Sequence, residues 1–241
     1  MSHETYDIRV FDRIESQTTD GDRESLLFLK ELVASAGTYA YLEIGSHLGG
    51  SLQPHLLDER CTAVISIDRR PASQPDKRLS DGQRHVYEGN STARMRSLLA
   101  QLPGADLTKL TTIDADTQAI DPESITERPA LCFIDGEHTD LAALRDALFC
   151  AAVAPRSIIA FHDRGAVGRG ISAFMRVRGG YGNPLPDTIW SVDLGGRRRL
   201  DKAQRRPWLW HAANAVGLAG EGAALTPLLW SAARALRRRG S

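Results

Sequence analysis

Two short stretches carry residues whose types and spacing could do chemistry. The first, FIDGEH at 133–138, ends an apolar run in Asp135 and sets His138 three residues later. The second, SIIAFHD at 157–163, ends another apolar run in His162 and Asp163. Acids at the ends of adjacent strands can converge on one point. Two carboxylates completed by water make a hard-cation site for Mg²⁺ or Mn²⁺. His162 is the third candidate ligand, and an imidazole there tilts the site toward Mn²⁺, Fe²⁺ or Zn²⁺. His138 lies just past its strand, and an ordinary pKa of about 6.5 suits it to act as a general base. Glu137 faces either the metal or solvent. Asp140 and Asp146 read as a helix N-terminal acid and a surface charge. The plainer alternative makes Asp135 and His138 capping residues and 162–163 a polar turn. Two strand-end pairs, each holding His and Asp, favour a site.

A second group lies nearer the N-terminus. YLEIGSHLGGSL at 41–52 reads as a strand, a tight glycine turn and a helix start that Ser51 could cap. Gly45 and Gly49 let the backbone pass close to a ligand, and Glu43 can accept from a ligand ammonium. The spacing is neither G-x-G-x-x-G nor a P-loop, so no pyrophosphate cradle is expected. Asp68 ends the next apolar run, where an acid suits ribose hydroxyls. Asp116 follows a third run, KLTTIDAD, and can accept from an adenine amino group.

The elements that must position these residues alternate. Strands are expected at 38–45, 63–68, 109–116, 131–135, 157–163 and 188–194. Helices are expected over 21–36 with Asp20 or Asp22 as cap, over 91–102, from 139 to 152, and around 170–176. Residues 71–90 read as a polar loop. The alternation predicts an α/β fold: a Rossmann-like, doubly wound, mostly parallel sheet whose ligands bind beyond the carboxyl ends of the strands.

These motifs resemble the class I S-adenosylmethionine-dependent methyltransferases. The likeness rests on E-I-G-S-x-x-G-x-S at Glu43–Ser51, S-I-D at 66–68 and D-A-D-T at 114–117. It implies that Glu43, Gly45, Ser46, Gly49 and Ser51 hold the methionine end of the cofactor, Asp68 the ribose and Asp116 the adenine. I-D-G-x-H-T-x(5)-R-D followed by H-D resembles metal-dependent sugar O-methyltransferases of macrolide, aminocoumarin and bacterial polysaccharide pathways. That likeness implies a divalent cation, Mg²⁺ first and Mn²⁺ second, on Asp135 and Asp163, with His138 as base. His162 stands where those enzymes carry a carboxylate. The implied reaction is methyl transfer to a hydroxyl of a sugar or glycoside. A non-sugar acceptor, a metal-dependent hydroxylase built on His162, Asp163 and His138, and a non-enzymatic cofactor-binding module are the alternatives.

Composition bounds the rest. The chain has 241 residues, 30 basic against 30 acidic, and 42% hydrophobic residues, which suits one α/β domain with an appendage. Three cysteines, Cys61, Cys132 and Cys150, are too few for a disulfide framework; Cys132 and Cys150 lie in apolar runs and read as buried thiols in a reducing compartment. The polar N-terminus predicts no signal peptide, and no apolar run is long enough for a membrane span. The methyltransferase domain is expected over 1–200, in the cytoplasm. The tail at 201–241 holds Trp208, Trp210 and Trp230 among arginines. It reads either as helices packed on the body or on a second subunit, or as a peripheral membrane device. The positive charge sits in this tail, which disfavours a nucleic-acid binder.

Overall fold

The computed structural model describes residues 6–79 and 83–195. The tail reading at 201–241 lies outside the described residues. In chain order the main elements are α1 (Asp20–Ala34), β1 (Tyr39–Ile44), α2 (Gln53–Leu56), β2 (Cys61–Ile67), β3 (Ser73–Pro75), β4 (Arg84–Val86), α3 (Thr92–Leu99), β5 (Leu110–Ile113), β6 (Leu131–Ile134), α4 (Asp140–Val153), β7 (Ile158–Phe161), α5 (Arg164–Arg178), β8 (Tyr181–Pro184) and β9 (Trp190–Asp193).

Seven strands form one sheet in the order β5-β2-β1-β6-β7-β9-β8. The first five are parallel, and β9 and β8 add antiparallel to the β7 edge. The expected Rossmann-like, doubly wound sheet is therefore the one found. Strand order reverses between β1 and β6, which opens a crevice at their carboxyl ends. The central strands β1, β6 and β7 are buried along their length, as a sheet covered on both faces requires. One face packs Leu42, Ile65, Cys132, Leu144, Phe149 and Phe174 under α4 and α5. The other packs Tyr41, Val64, Phe133, Leu29, Leu52 and Met95 under α1, α2 and α3.

Several local expectations need correction. Thr19, not Asp20 or Asp22, caps α1, and Asp22 completes a capping box from the N3 position. The polar stretch 71–90 contains the hairpin β3–β4, stabilised by only three residue pairs. α5 starts at Arg164, six residues before the expected helix. Its glycines lower helix propensity, which hid it. One of them, Gly170, packs on the Asp140 backbone, where a Cβ would collide, and its amide donates to the Asp140 carboxylate at 2.9 Å. Close α4–α5 packing repays the lost propensity. Strand β8 adds to the expected strands, because YGNP has no alternation that marks it. All three cysteines are buried and free. Among the described residues, no helix is long and apolar enough to cross a membrane.

The turn after β1 rests on Gly45. It has φ of 89°, and a Cβ there would overlap the Asp135 carbonyl across the crevice. Gly45→Ala is expected to lower folding stability by at least about 2 kcal/mol, from left-handed strain and backbone displacement. Chemical denaturation measures this. A loss below about 0.5 kcal/mol, the range of an ordinary surface substitution, contradicts the close approach.

Candidate active site

The crevice holds an open cavity of about 200 Å³ at the strand ends. Ile44, Ile67, Ala115, Leu141 and Ala142 give it apolar walls. Asp68, Asn90, Asp116, Asp135 and Asp146 supply polar groups, with Gln74 and Tyr87 from the hairpin side. The Asp68 carboxylate is fixed from below. It accepts from the His47 amide at 2.9 Å, the Arg70 amide at 2.7 Å and the Arg70 guanidinium at 3.3 Å. Arg70 also donates to the His47 carbonyl and to Ser46 Oγ, which ties the β1 turn to the β2 turn.

His47 and Arg70 have positive φ, as does Asp163 beyond β7. These are three of the four such non-glycine residues among the described ones, and all three follow strands on this edge. Such conformations persist only where the surrounding structure holds them, and here they gather at the edge that carries the crevice.

The predicted cofactor residues separate into two groups. Gly45, Asp68 and Asp116 line the main cavity. Ser46 and Ser51 line a smaller adjoining pocket of about 40 Å³, and Gly49 begins the short turn beneath it. Glu43 lines neither. Its carboxyl is fully buried and accepts from Tyr41 Oη at 2.6 Å and Ser51 Oγ at 2.5 Å. Burial pushes it up to about 7 against those two hydrogen bonds. Ser51 therefore serves Glu43 rather than capping a helix.

Asp135, His138, His162 and Asp163 do meet. One potential ligand atom from each lies within 4.8 Å of all the others. His162 Nδ1 stands 2.9 Å from Asp135 Oδ1 and 3.1 Å from Asp163 Oδ2. His138 Nε2 stands 2.9 Å from Asp163 Oδ2 and 3.4 Å from Asp135 Oδ1. His138 is 4% exposed, yet neither ring nitrogen lies along a hydrogen-bonding direction. Burial lowers both imidazole pKa values, but the surrounding carboxylates outweigh it and hold both above their ordinary value. Asp135 is correspondingly held down to about 2: burial would raise it, and the imidazoles of His162 and His138 overcome that.

Three further residues join this cluster that no local sequence signal marks. Asp22 reaches from α1 to His162 Nε2 at 3.3 Å. Asp76, from the segment joining the hairpin strands, is buried 3.6 Å from His138 Nδ1. Arg78 binds both Asp76 at 2.6 Å and Asp163 at 2.7 Å. Asp-x-Arg in a polar loop is common, and only the fold reveals its target. Asp22 was legible as a helix-start acid and nothing more.

No family model matches the chain, and no curated protein does. Solved structures do resemble it. Cofactor-bound Rv0187 from MTB aligns with a TM-score of 0.51 at 12% identity, over 79% of this chain and 88% of that one. The O-methyltransferase TomG from Streptomyces achromogenes, in complex with SAM, aligns with a TM-score of 0.47 at 10% identity, over 77% and 86%. At such identity the likeness to Rv0187 is one of fold.

Asp146 corrects another expectation, since it is buried on the cavity wall and not a surface charge. Thr117 Oγ1 donates to it at 2.6 Å. Burial pushes its pKa up to about 7, aided by the carboxylates of Asp116 and Glu137 and opposed by the Thr117 bond. In the unfolded chain the same group titrates near 4. Below that pH both states hold the proton. As pH rises from about 4 to 7 the unfolded state loses it first, so stability falls, and the deficit is complete above about 7. Asp146→Asn carries no such deficit. Its stability relative to wild type is expected to climb between pH 4 and 7 by a few kcal/mol and then level off. Urea unfolding across pH tests this, and a pH-independent difference contradicts it.

Proposed function

We propose that the protein is a metal-dependent O-methyltransferase, carrying the methyl group of S-adenosylmethionine to a hydroxyl of a sugar or glycoside. The observation that carries this reading is Asp135. It lines the nucleoside-sized cavity and is also a member of the carboxylate–imidazole cluster, so the two sites share a wall. The fold that the chain shares with cofactor-bound Rv0187 and the motifs at Glu43–Ser51 and Asp135–His138 agree with it.

The residues fit both groups. Apolar walls with a fixed acid at their rim suit a nucleoside, and Asp68 is braced to accept from ribose hydroxyls. Asp116, on the wall of the same cavity, would take the adenine edge, and Ser46 and Ser51, in the adjoining pocket, the methionine end. Two carboxylates and His162, beside a buried His138 whose nitrogens face carboxylates without an aligned hydrogen bond, suit a divalent cation. Asp135, Asp163 and His162 would hold it. When bound, a divalent cation lowers the pKa of a coordinated alcohol and fixes its position.

His138 is placed to take the proton of the acceptor hydroxyl. Its imidazole is buried among Asp76, Asp135 and Asp163, which stabilise the cationic form it must reach. Gln74 donates to Tyr87 Oη at 3.0 Å and to the Gly136 carbonyl at 3.0 Å, which pins the hairpin against the site. These polar groups and the Tyr87 ring suit a glycoside, whose vicinal hydroxyls can also chelate the cation.

Two outcomes are expected. S-adenosylhomocysteine binds the full chain in calorimetry, and Asp68→Ala weakens it by about 1–3 kcal/mol, the loss of a charged hydrogen bond. Equal affinity in both removes the ribose assignment. Methyl transfer to a glycoside panel stops in EDTA, resumes with added divalent cation, and falls by about 10²–10⁴-fold in kcat for His138→Ala with cofactor affinity unchanged. Full activity in EDTA overturns the mechanism.

A further inference from the structure

The donor set of the cluster bears on which ion it holds. We infer that the site takes a first-row transition ion of the Mn²⁺ or Fe²⁺ kind in preference to Mg²⁺, and that Asp22 is the positioning residue that presents His162 Nδ1 to it. This rests on the metal-dependent reading above and goes on to name the ion and the residue behind its ligand.

The argument starts from the two faces of one imidazole. His162 is buried, with Nε2 3.3 Å from Asp22 Oδ2 and Nδ1 between Asp135 Oδ1 and Asp163 Oδ2. Asp22 already accepts from Thr19 and from Thr188, through both the amide and hydroxyl of each. A carboxylate held this way only accepts, so it calls for N–H on His162 Nε2. A neutral ring then turns its Nδ1 lone pair toward two carboxylate oxygens. Three acceptors converge there, and only a positive charge between them relieves the repulsion. A carboxylate behind a histidine, fixing its tautomer and ring plane, is the usual support of a histidine metal ligand.

A proton on Nδ1 is the rival occupant, and the 2.9 Å and 3.1 Å from Nδ1 to its two oxygen neighbours suit an N–H···O bond as well as adjacent donors of an octahedral ion with bonds of about 2.1 Å. His138 favours the metal, because its Nε2 faces the same two oxygens while neither of its nitrogens is aligned to hydrogen-bond them. Four carboxylates, Asp22, Asp76, Asp135 and Asp163, gather around the two imidazoles, and Arg78 pairs with only Asp76 and Asp163, so the cluster draws further positive charge.

The preference follows from the nitrogen. Mg²⁺ favours an all-oxygen shell, whereas Mn²⁺ and Fe²⁺ accept imidazole beside carboxylate. His162→Asp restores an all-carboxylate set and is the decisive variant.

The test uses the full-length chain freed of metal with EDTA, titrated with Mn²⁺ and with Mg²⁺ by calorimetry, and pulsed EPR of the Mn²⁺-loaded protein. Wild type is expected to bind Mn²⁺ at least about tenfold tighter than Mg²⁺. Its spectrum should show a directly bound nitrogen. That coupling persists in His138→Ala and disappears in His162→Asp, which also loses the Mn²⁺ preference. Asp22→Asn is expected to weaken Mn²⁺ by about 10–100-fold. If circular dichroism shows that it fails to fold, the His162→Asp comparison decides alone. Equal affinity for the two ions, nitrogen coupling that survives His162→Asp, or no Mn²⁺ bound at millimolar concentration overturns the inference. Mn²⁺ bound as described by a chain that ignores S-adenosylhomocysteine would instead sink the methyltransferase reading and leave the ion assignment standing.

Discussion

The parallel ladder does not stop where the strands do. The amide of Asp68 donates to Ile113, that of Gly45 to Ile67, that of Asp135 to Ile44 and that of His162 to Ile134, at 2.9–3.1 Å. Each bond captures the first residue beyond its strand on the carbonyl of a neighbour. Four candidate site positions from four strands are thereby set in one row. Everything else at the site hangs from that row: the Gly45 turn, the braced Asp68, and the Asp135–His162 contact across adjacent strands. Because parallel ladders advance in step, the register that buries the apolar faces also sets the height of the polar ends.

That row collects charge that the fold must then neutralise. Asp22 and Asp76, buried, and Asp135 and Asp163, half-buried, set four carboxylates around two imidazoles and Arg78. Removing one partner from such a group leaves an uncompensated buried charge, the costliest kind of error. The elements that contribute are far apart in sequence: the first turn of α1, the hairpin segment, and the ends of β6 and β7. Asp163 adds strain, since its φ of 49° turns the chain directly from β7 into α5.

The sheet was legible because its strands are short apolar runs ending in acids or glycine, and burial on both faces leaves little room for other patterns. The convergence of Asp135, His138, His162 and Asp163 was legible for the same reason, since neighbouring strand ends must meet. What the sequence hid depended on tertiary context. Asp22 caps a helix in any reading, and nothing local says that its second oxygen reaches His162. Asp146 reads as a helix-face charge until Thr117 folds over it. Glu43 sits in the motif that resembles a methionine-binding loop, but Tyr41 and Ser51 occupy its carboxyl. The glycines of α5 speak against a helix when read singly, and only the contact of Gly170 with α4 explains them.

The most direct test of the account is a crystal structure of the full chain soaked with S-adenosylhomocysteine and Mn²⁺, with anomalous difference density locating the ion. The account predicts a single strong peak bounded by Asp135, Asp163 and His162 Nδ1. It also predicts the nucleoside in the crevice between β1 and β6, with its ribose hydroxyls on Asp68. An ordered nucleoside elsewhere, or an empty cluster beside a filled cavity at saturating Mn²⁺, would contradict it.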